Sequence, residues 1–250
     1  MKEANRDKKI VIGVDRLDYI KGIPNKISGF QKFLEKYPDF SSKVILIQVA
    51  VPSRTDVQEY VQLQDFTFEL AGKCNATFGN SDHSPLQLIN NSVDFVELSA
   101  LYQIADVCLI TSLRDGMNLV AYEYVMSQKI NHGVLVISEF AGASSSLSGS
   151  VSLNPWDAED IAEKLYYALV LGQEERMALS SRLSAFVEEH SSIVWGEGFV
   201  KQLQSFMEYK VEQDLEFDTI ITHPKHLAFT RDYHPSSCII VIDDQNEASD

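Results

Sequence analysis

The sequence predicts an α/β fold built on a doubly wound parallel sheet of Rossmann-like type. Three observations predict it. Short β-branched runs alternate with stretches of helical apolar spacing from Ile10 onward;. The runs are apolar throughout rather than alternating, as strands covered on both faces require. Around Ile110 to Glu123 an apolar strand runs through a polar Gly turn into a helix, the connection that puts ligands at the carboxyl ends of parallel strands;.

Ile10 to Val14 reads as a buried strand, and Pro24 to Tyr37 as a helix with apolar positions at Ile27, Phe30, Phe33 and Leu34;. A strand follows at Val44 to Val49. Pro52 stops it, and Ser53 is placed to cap a long helix from about Thr55 to Ala76;. Next come a short strand at Leu86 to Ile89, a helix at Asp94 to Ile104, a strand at Val107 to Thr111, a helix at Leu119 to Gln128 and a strand at Val134 to Ser138. Ser150 to Leu153 gives another strand, and Asn154-Pro155-Trp156-Asp157 a turn and N-cap before a helix at Ala158 to Leu171;. Helices near Glu174 to Glu189 and Ser192 to Tyr209 complete a domain expected to span residues 1–212. Residues 213–250 form a tail: irregular from Asp214 to Pro235, an isolated strand in Ser236 to Asp244, and a frayed polar end;. There is no internal repeat.

The 250 residues are 45% hydrophobic and 23% charged, enough apolar material for a full core;. Asp and Glu number 36 against 21 Lys and Arg, a net charge of −15 that argues against nucleic acid or an anionic membrane as partner;. Any anion site must then be a local positive pocket. Three widely spaced cysteines, Cys74, Cys108 and Cys238, favour a reducing compartment over a disulfide framework;. No run reaches the ~20 apolar residues of a membrane span, and the polar start lacks a signal-peptide core;. A soluble, cytoplasmic protein is expected. The glycosylation patterns at Asn75 and Asn90 read as chance;.

Two clusters carry chemistry. In Ile110 to Glu123, the backbone N–H groups from Gly116 to Leu119 open a helix and so lack helical acceptors, and the helix dipole adds about half a positive charge there;. Asp115 on the turn and Glu123 along the helix can flank a phosphate-bearing ligand as acceptors for sugar hydroxyls, so a nucleotide sugar is suggested. In Gly13 to Gly22, Arg16 and Lys21 sit in a Gly-bounded turn at the end of a strand. They can converge on one diphosphate, a fork and a point charge; alternatively Arg16 pairs with Asp15 or Asp18 and Lys21 is merely solvated. Arg54, after Pro52, lies on the same rim and can hold a second phosphate or serve as a surface salt-bridge partner.

Other candidates are weaker. His223, His226 and His234 have metal-like spacing without supporting ligands, Ser144 to Ser146 lack a nucleophile elbow, and Trp156 and Trp195 read as packing residues;. Glu139 to Ala143 either lines the cleft or makes a tight strand-to-helix turn.

Val14 to Gly22, Val49 to Arg54, Arg114 to Val120, Ser138 to Ala143 and Asn154 to Trp156 together resemble the trehalose-6-phosphate synthase family, in order and at its spacing, from about Ile10 to Phe206. The resemblance implies the C-terminal, donor-binding domain of a GT-B retaining glycosyltransferase that moves glucose from UDP-glucose to glucose 6-phosphate. It implies that Arg16 and Lys21 bind the UDP diphosphate, that Asp115 holds the glucose hydroxyls, and that the backbone of Gly116, Met117, Asn118, Leu119 and Val120 lines the donor. Glu123 would hold the ribose, Val93 and Leu98 would flank the uracil, and Arg54 would bind the acceptor phosphate. The stretch Gln87 to Ser92 departs from the more basic one found in many members. Neither a metal nor another cofactor is expected. The resemblance further implies an N-terminal half not represented here, so that the chain alone would turn over slowly or not at all. A rival reading comes from the tail, where Ile239-Ile240-Val241-Ile242 ends in Asp243-Asp244-Gln245 in place of the Asp-x-Asp of a haloacid-dehalogenase-type phosphatase. A degenerate phosphatase start would make the parent a non-catalytic regulatory subunit of a trehalose-synthesising complex.

Overall fold

The computed structural model describes residues 7–212. Six strands, β1 (Lys9–Arg16), β2 (Val44–Val51), β3 (Leu86–Ile89), β4 (Val107–Ile110), β5 (Val134–Ser138) and β6 (Val151–Leu153), form one sheet in the order β3-β2-β1-β4-β5-β6. Every neighbouring pair is parallel. Eight helices connect or follow them: α1 (Ile23–Lys36), α2 (Gln58–Phe78), α3 (Phe95–Ile104), α4 (Leu119–Ser127), α5 (Ala143–Ser146), α6 (Ala158–Val170), α7 (Gln173–Glu189) and α8 (Ser192–Glu212). The chain winds outward from β1 to β3, returns to the centre, and winds the other way from β4 to β6. The crossovers put helices on both faces of the sheet, the doubly wound arrangement expected from the sequence;.

The pleat divides the core. Val11, Leu46, Leu109 and Val136 pack toward α1 and α6, while Ile12, Ile47, Cys108 and Ile137 pack toward α3, α4 and α7;. Both sets are buried completely or nearly so, which explains why the strands read as unbroken apolar runs;. On the α1 face the aromatic residues stack in series, with Tyr37 and Tyr166 ring centroids 4.1 Å apart.

Caps set the helix starts where the sequence places them. Asp94 accepts from Glu97 N–H at 2.8 Å, and Asp157 accepts from Glu159 N–H at 2.8 Å;. The long second helix is different: it begins at Gln58, not near Thr55, and Ser53 does not cap it. Arg54 adopts the left-handed region (φ 49°) and its carbonyl accepts from Val57 N–H at 3.0 Å, so an extra turn lies between Pro52 and the helix;. The tryptophans also depart from expectation. Trp156 is 65% and Trp195 73% exposed, the latter stacking on Phe199 within its own helix rather than filling a core.

The chain divides into two compact units, one through His190 and one from Ser191, and α8 opens the second. The expected tail 213–250, with its isolated strand, its phosphatase-like aspartates and the three histidines, lies outside the described residues. Among the described residues no helix is long and apolar enough to cross a membrane. Cys74 and Cys108 are buried free thiols.

Candidate functional site

The winding reverses between β1 and β4, and in such sheets ligands bind at the carboxyl ends of the strands where it does; Arg16, Lys21 and Asp115 lie in the segments that follow those two strands;. Arg16 ends β1 and is exposed. Neither acidic neighbour takes it: Asp15 pairs with Lys26, and Asp18 accepts from Ile20 N–H at 3.3 Å, capping a one-turn 3-10 helix over Tyr19–Lys21. Gly22 then turns the chain at φ 63°, and a Cβ there would lie 2.2 Å from the Thr111 carbonyl. Only glycine allows that approach. Thr111 Oγ1 donates to Gly22 O at 3.0 Å and Leu113 N–H to Ile20 O at 2.7 Å, so the turn after β1 is stapled to the segment after β4.

That staple sets Lys21 beside Asp115. Nζ and Oδ2 are 2.6 Å apart, each side chain 16% exposed. Burial works to raise the Asp115 pKa, but the hydrogen bond and charge of Lys21, the Asn118 amide and the Met117 N–H outweigh it and hold the carboxyl below the usual carboxylate range;. Lys21 is therefore not merely solvated.

The loop after β5 braces the same turn. Asp115 N–H donates to Phe140 O at 3.1 Å, Gly142 N–H to Asp115 O at 2.9 Å, and Ala143 N–H to Met117 O at 3.0 Å. A Cβ on Gly142 would meet Gly116 O at 2.0 Å, so the glycine is required by close backbone approach;. Glu139 to Ala143 makes a tight strand-to-helix turn, and its backbone braces the Asp115–Met117 segment. Ser144 and Ser145 spend their hydroxyls on carbonyls of that turn.

Asn118 caps α4 from a left-handed backbone (φ 80°), a conformation asparagine tolerates better than most residues;. Gly116 faces open space, Met117 and Leu119 are exposed, and Val120 is half-buried at the first turn of α4. The helix N-terminus thus opens beside Lys21 and Asp115.

Glu123 lies further along α4. With Leu98 and Tyr102 of α3 it lines a shallow, mostly apolar groove, and its Oε2 accepts from Tyr102 O–H at 3.1 Å. Burial, with the Cys108 and Glu123 charges, holds the Tyr102 phenol protonated far above its ordinary range. Val93 packs against the core at the start of α3. Arg54 is placed apart from the ion pair: its Nη1 donates to Tyr60 O–H at 2.9 Å and its guanidinium lies over the Tyr60 ring. Tyr60 in turn meets Tyr19 edge-on at 5.5 Å, so Arg54 reaches the β1 turn through two aromatic rings.

One group of side chains beneath this rim escaped sequence reasoning. Lys26 Nζ donates to Asp15 Oδ2 at 2.5 Å with both side chains buried, and Gln48 Nε2 donates to the same oxygen at 3.1 Å. The signal was present: Lys26 falls between Ile23, Ile27 and Phe30, on the apolar face of α1, where a solvated lysine does not belong;.

Comparisons with known proteins identify the relatives of this chain. The family model for glycosyltransferase family 20 matches residues 1–205. An alpha,alpha-trehalose-phosphate synthase [UDP-forming] of Schizosaccharomyces pombe is 49% identical over 201 residues, covering 80% of this chain and 39% of that relative. The chain thus spans about two fifths of the length of the relative it matches. Among solved structures, a Burkholderia xenovorans alpha,alpha-trehalose-phosphate synthase in complex with glucose-6-phosphate gives a TM-score of 0.78 at 36% identity, covering 82% of this chain and 45% of that one. An E. coli trehalose-6-phosphate structure bound with UDP-2-fluoro glucose gives 0.77 at 35%, covering 81% and 45%. The N-terminal domain of a Candida albicans trehalose-6-phosphate phosphatase gives 0.77 at 34%, covering 82% and 43%.

Proposed function

The chain belongs to glycosyltransferase family 20, and from that premise we propose that it is the UDP-glucose-binding part of an alpha,alpha-trehalose-phosphate synthase, a GT-B enzyme acting with retention. The observation that carries this reading is the convergence at one strand-end crevice of a cationic turn, a carboxylate and a helix N-terminus, joined by the Lys21–Asp115 contact. Diphosphate suits the first and third, sugar hydroxyls the second.

In the proposed reaction the bond from glucose C1 to the β-phosphate oxygen breaks as the acceptor hydroxyl of glucose 6-phosphate bonds to C1 on the same face. The hydroxyl proton passes to the departing phosphate oxygen. Arg16, Lys21 and the α4 amides offset the charge that develops on UDP, the work a metal ion does elsewhere, so no metal or further cofactor is required. Asp115 orients the glucose, Glu123 takes the ribose hydroxyls, and Val93 and Leu98 flank the uracil along the α3–α4 groove. Arg54 takes the acceptor phosphate on exchanging Tyr60 for it. The location proposed is the cytoplasm, consistent with the nucleotide-sugar substrate and the free thiols;. These 250 residues taken alone, two fifths of the length of the relative, are expected to bind donor while turning over slowly or not at all.

The fold shared with the N-terminal domain of a phosphatase supports a second reading, a regulatory subunit of a trehalose-synthesising complex. Calorimetric titration with UDP-glucose tests both. Saturable binding that is lost in Lys21→Ala is the expected result; no binding at millimolar donor overturns the synthase reading in favour of the regulatory one.

A further inference from the structure

The side chain of Asn118 makes two kinds of contact through two different atoms. Its Oδ1 accepts from Ala121 N–H at 3.3 Å and so caps α4;. Its Nδ2 donates to Asp115 Oδ2 at 3.1 Å and lies 3.5 Å from Ser112 Oγ. A cap needs only the oxygen. The amide is 7% exposed at residue level, too buried to be a solvated group that touches Asp115 by chance.

The pattern on the carboxylate is asymmetric. Lys21 Nζ at 2.6 Å and Asn118 Nδ2 at 3.1 Å both reach Oδ2, while beyond the Met117 backbone N–H already named no donor from a side chain of the described residues reaches Oδ1. Two donors from different elements, one on the turn after β1 and one at the start of α4, fix a single oxygen. Rotation about the Asp115 side-chain bonds is then restrained, and the other oxygen stands in a constant direction.

We propose that Asn118 is a positioning residue: its amide and Lys21 pin Asp115 through Oδ2 so that Oδ1 is presented to a hydroxyl of the sugar being transferred. This deepens, and rests on, the donor-site reading above. It also ties two subsites together. The cap sets where the α4 amides meet the diphosphate and the amide sets where the carboxylate meets the sugar, so one side chain fixes their separation.

Two substitutions separate positioning from capping. Asn118→Gly accepts the left-handed backbone and is itself a tolerated N-cap residue, but removes the amide. Asn118→Asp keeps a capping oxygen and also lacks the amide. For the whole 250-residue chain, the affinities for UDP and UDP-glucose are measured by calorimetry, and the Asp115 χ1 populations by NMR scalar couplings without ligand. Both variants are expected to lose UDP-glucose affinity relative to UDP by about fivefold, the worth of one hydrogen bond, with Asp115 passing from one rotamer to several. A merely structural cap gives a loss in Asn118→Gly that Asn118→Asp restores, with the ratio of the two affinities unchanged, and that overturns the proposal. A wild-type chain that binds neither nucleotide removes the donor-site reading instead; the rotamer populations still decide, and a single Asp115 rotamer in both variants overturns the positioning role by itself.

Discussion

Replacing Lys26 by Met leaves the Asp15 carboxylate buried without a counter-charge. In the native pair the lysine side chain is 0% exposed and the aspartate 2%, with 2.5 Å between Nζ and Oδ2, so neither water nor salt screens it;. Gln48 Nε2 at 3.1 Å remains, but a neutral amide cannot balance an ion. Removing one member of such a pair costs about 3–5 kcal/mol. Methionine resembles lysine in length and helix propensity, so cavity and propensity effects in α1 stay small. The loss is then dominated by the orphaned charge. With a urea dependence of about 2–3 kcal/mol per molar, the unfolding midpoint should fall by about 1–2 M, measured by far-UV circular dichroism. The double variant Asp15→Asn/Lys26→Met, which carries no buried charge, should recover more than half of that. A loss below about 1 kcal/mol in Lys26→Met would mean that the pair is hydrated in solution, and the account of a dry ionic anchor beneath Arg16 would fail.

Four further outcomes follow from the same geometry. Arg16→Ala and Lys21→Ala should each weaken UDP binding about tenfold or more, and in a full-length synthase cost a few kcal/mol of barrier by analogy with losing one preorganised donor; turnover near wild type in both would refute their role. Gly22→Ala should destabilise the chain by about 2 kcal/mol or more and weaken UDP binding, because φ 63° and the 2.2 Å approach to Thr111 O exclude a Cβ;; a silent substitution would show that the turn is not stapled. Asp115 has a native pKa below its unfolded one, so its contribution to stability is complete above the ordinary 3.8 and is lost as pH falls through the lower native value;. An Asp115→Asn variant should therefore lose less stability on acidification than wild type, and equal losses by denaturant titration at several acidic pH values would contradict the shift. Burial pushes the Cys74 and Cys108 thiols up to about 12, so in a Cys238→Ser background the folded chain should take up no thiol reagent at neutral pH, and two equivalents once unfolded;.

The fold was legible because its signals are local and redundant. Unbroken apolar strands such as Val44 to Val49, caps at Asp94 and Asp157, and Pro52 at a strand end each state their structure within a few residues;. The start of α2 was not legible, because a left-handed Arg54 is a choice made by the turn as a whole and carries no residue signature; glycine or asparagine would have announced it;. The exposed tryptophans were misplaced because a large aromatic ring is read as core by default, and only neighbours distant in sequence decide otherwise;. At the candidate site the residue types were readable and their contacts were not. Arg16, Lys21 and Asp115 stood out by type and by position after strands, and Glu123 by type on the helix that follows. That Lys21 would meet Asp115 depends on the pairing of β1 with β4, which single-residue patterns do not encode.

Strand pairing is also what makes the chemistry possible. Lys21 and Asp115 are 94 residues apart in the chain and touch because β1 and β4 are neighbours, with Ile12 facing Cys108. On one side β1 pairs with β2; the switch of winding direction gives it β4 as its other neighbour, so that its turn also lies at the end of β4, ahead of the start of α4;. In the free chain the two groups satisfy each other, cation to carboxylate. On the proposed reading a diphosphate takes N–H groups of the ammonium that Asp115 leaves unused, while the carboxylate's second oxygen meets a sugar hydroxyl, so the pair need not break for both ends of one ligand to be met.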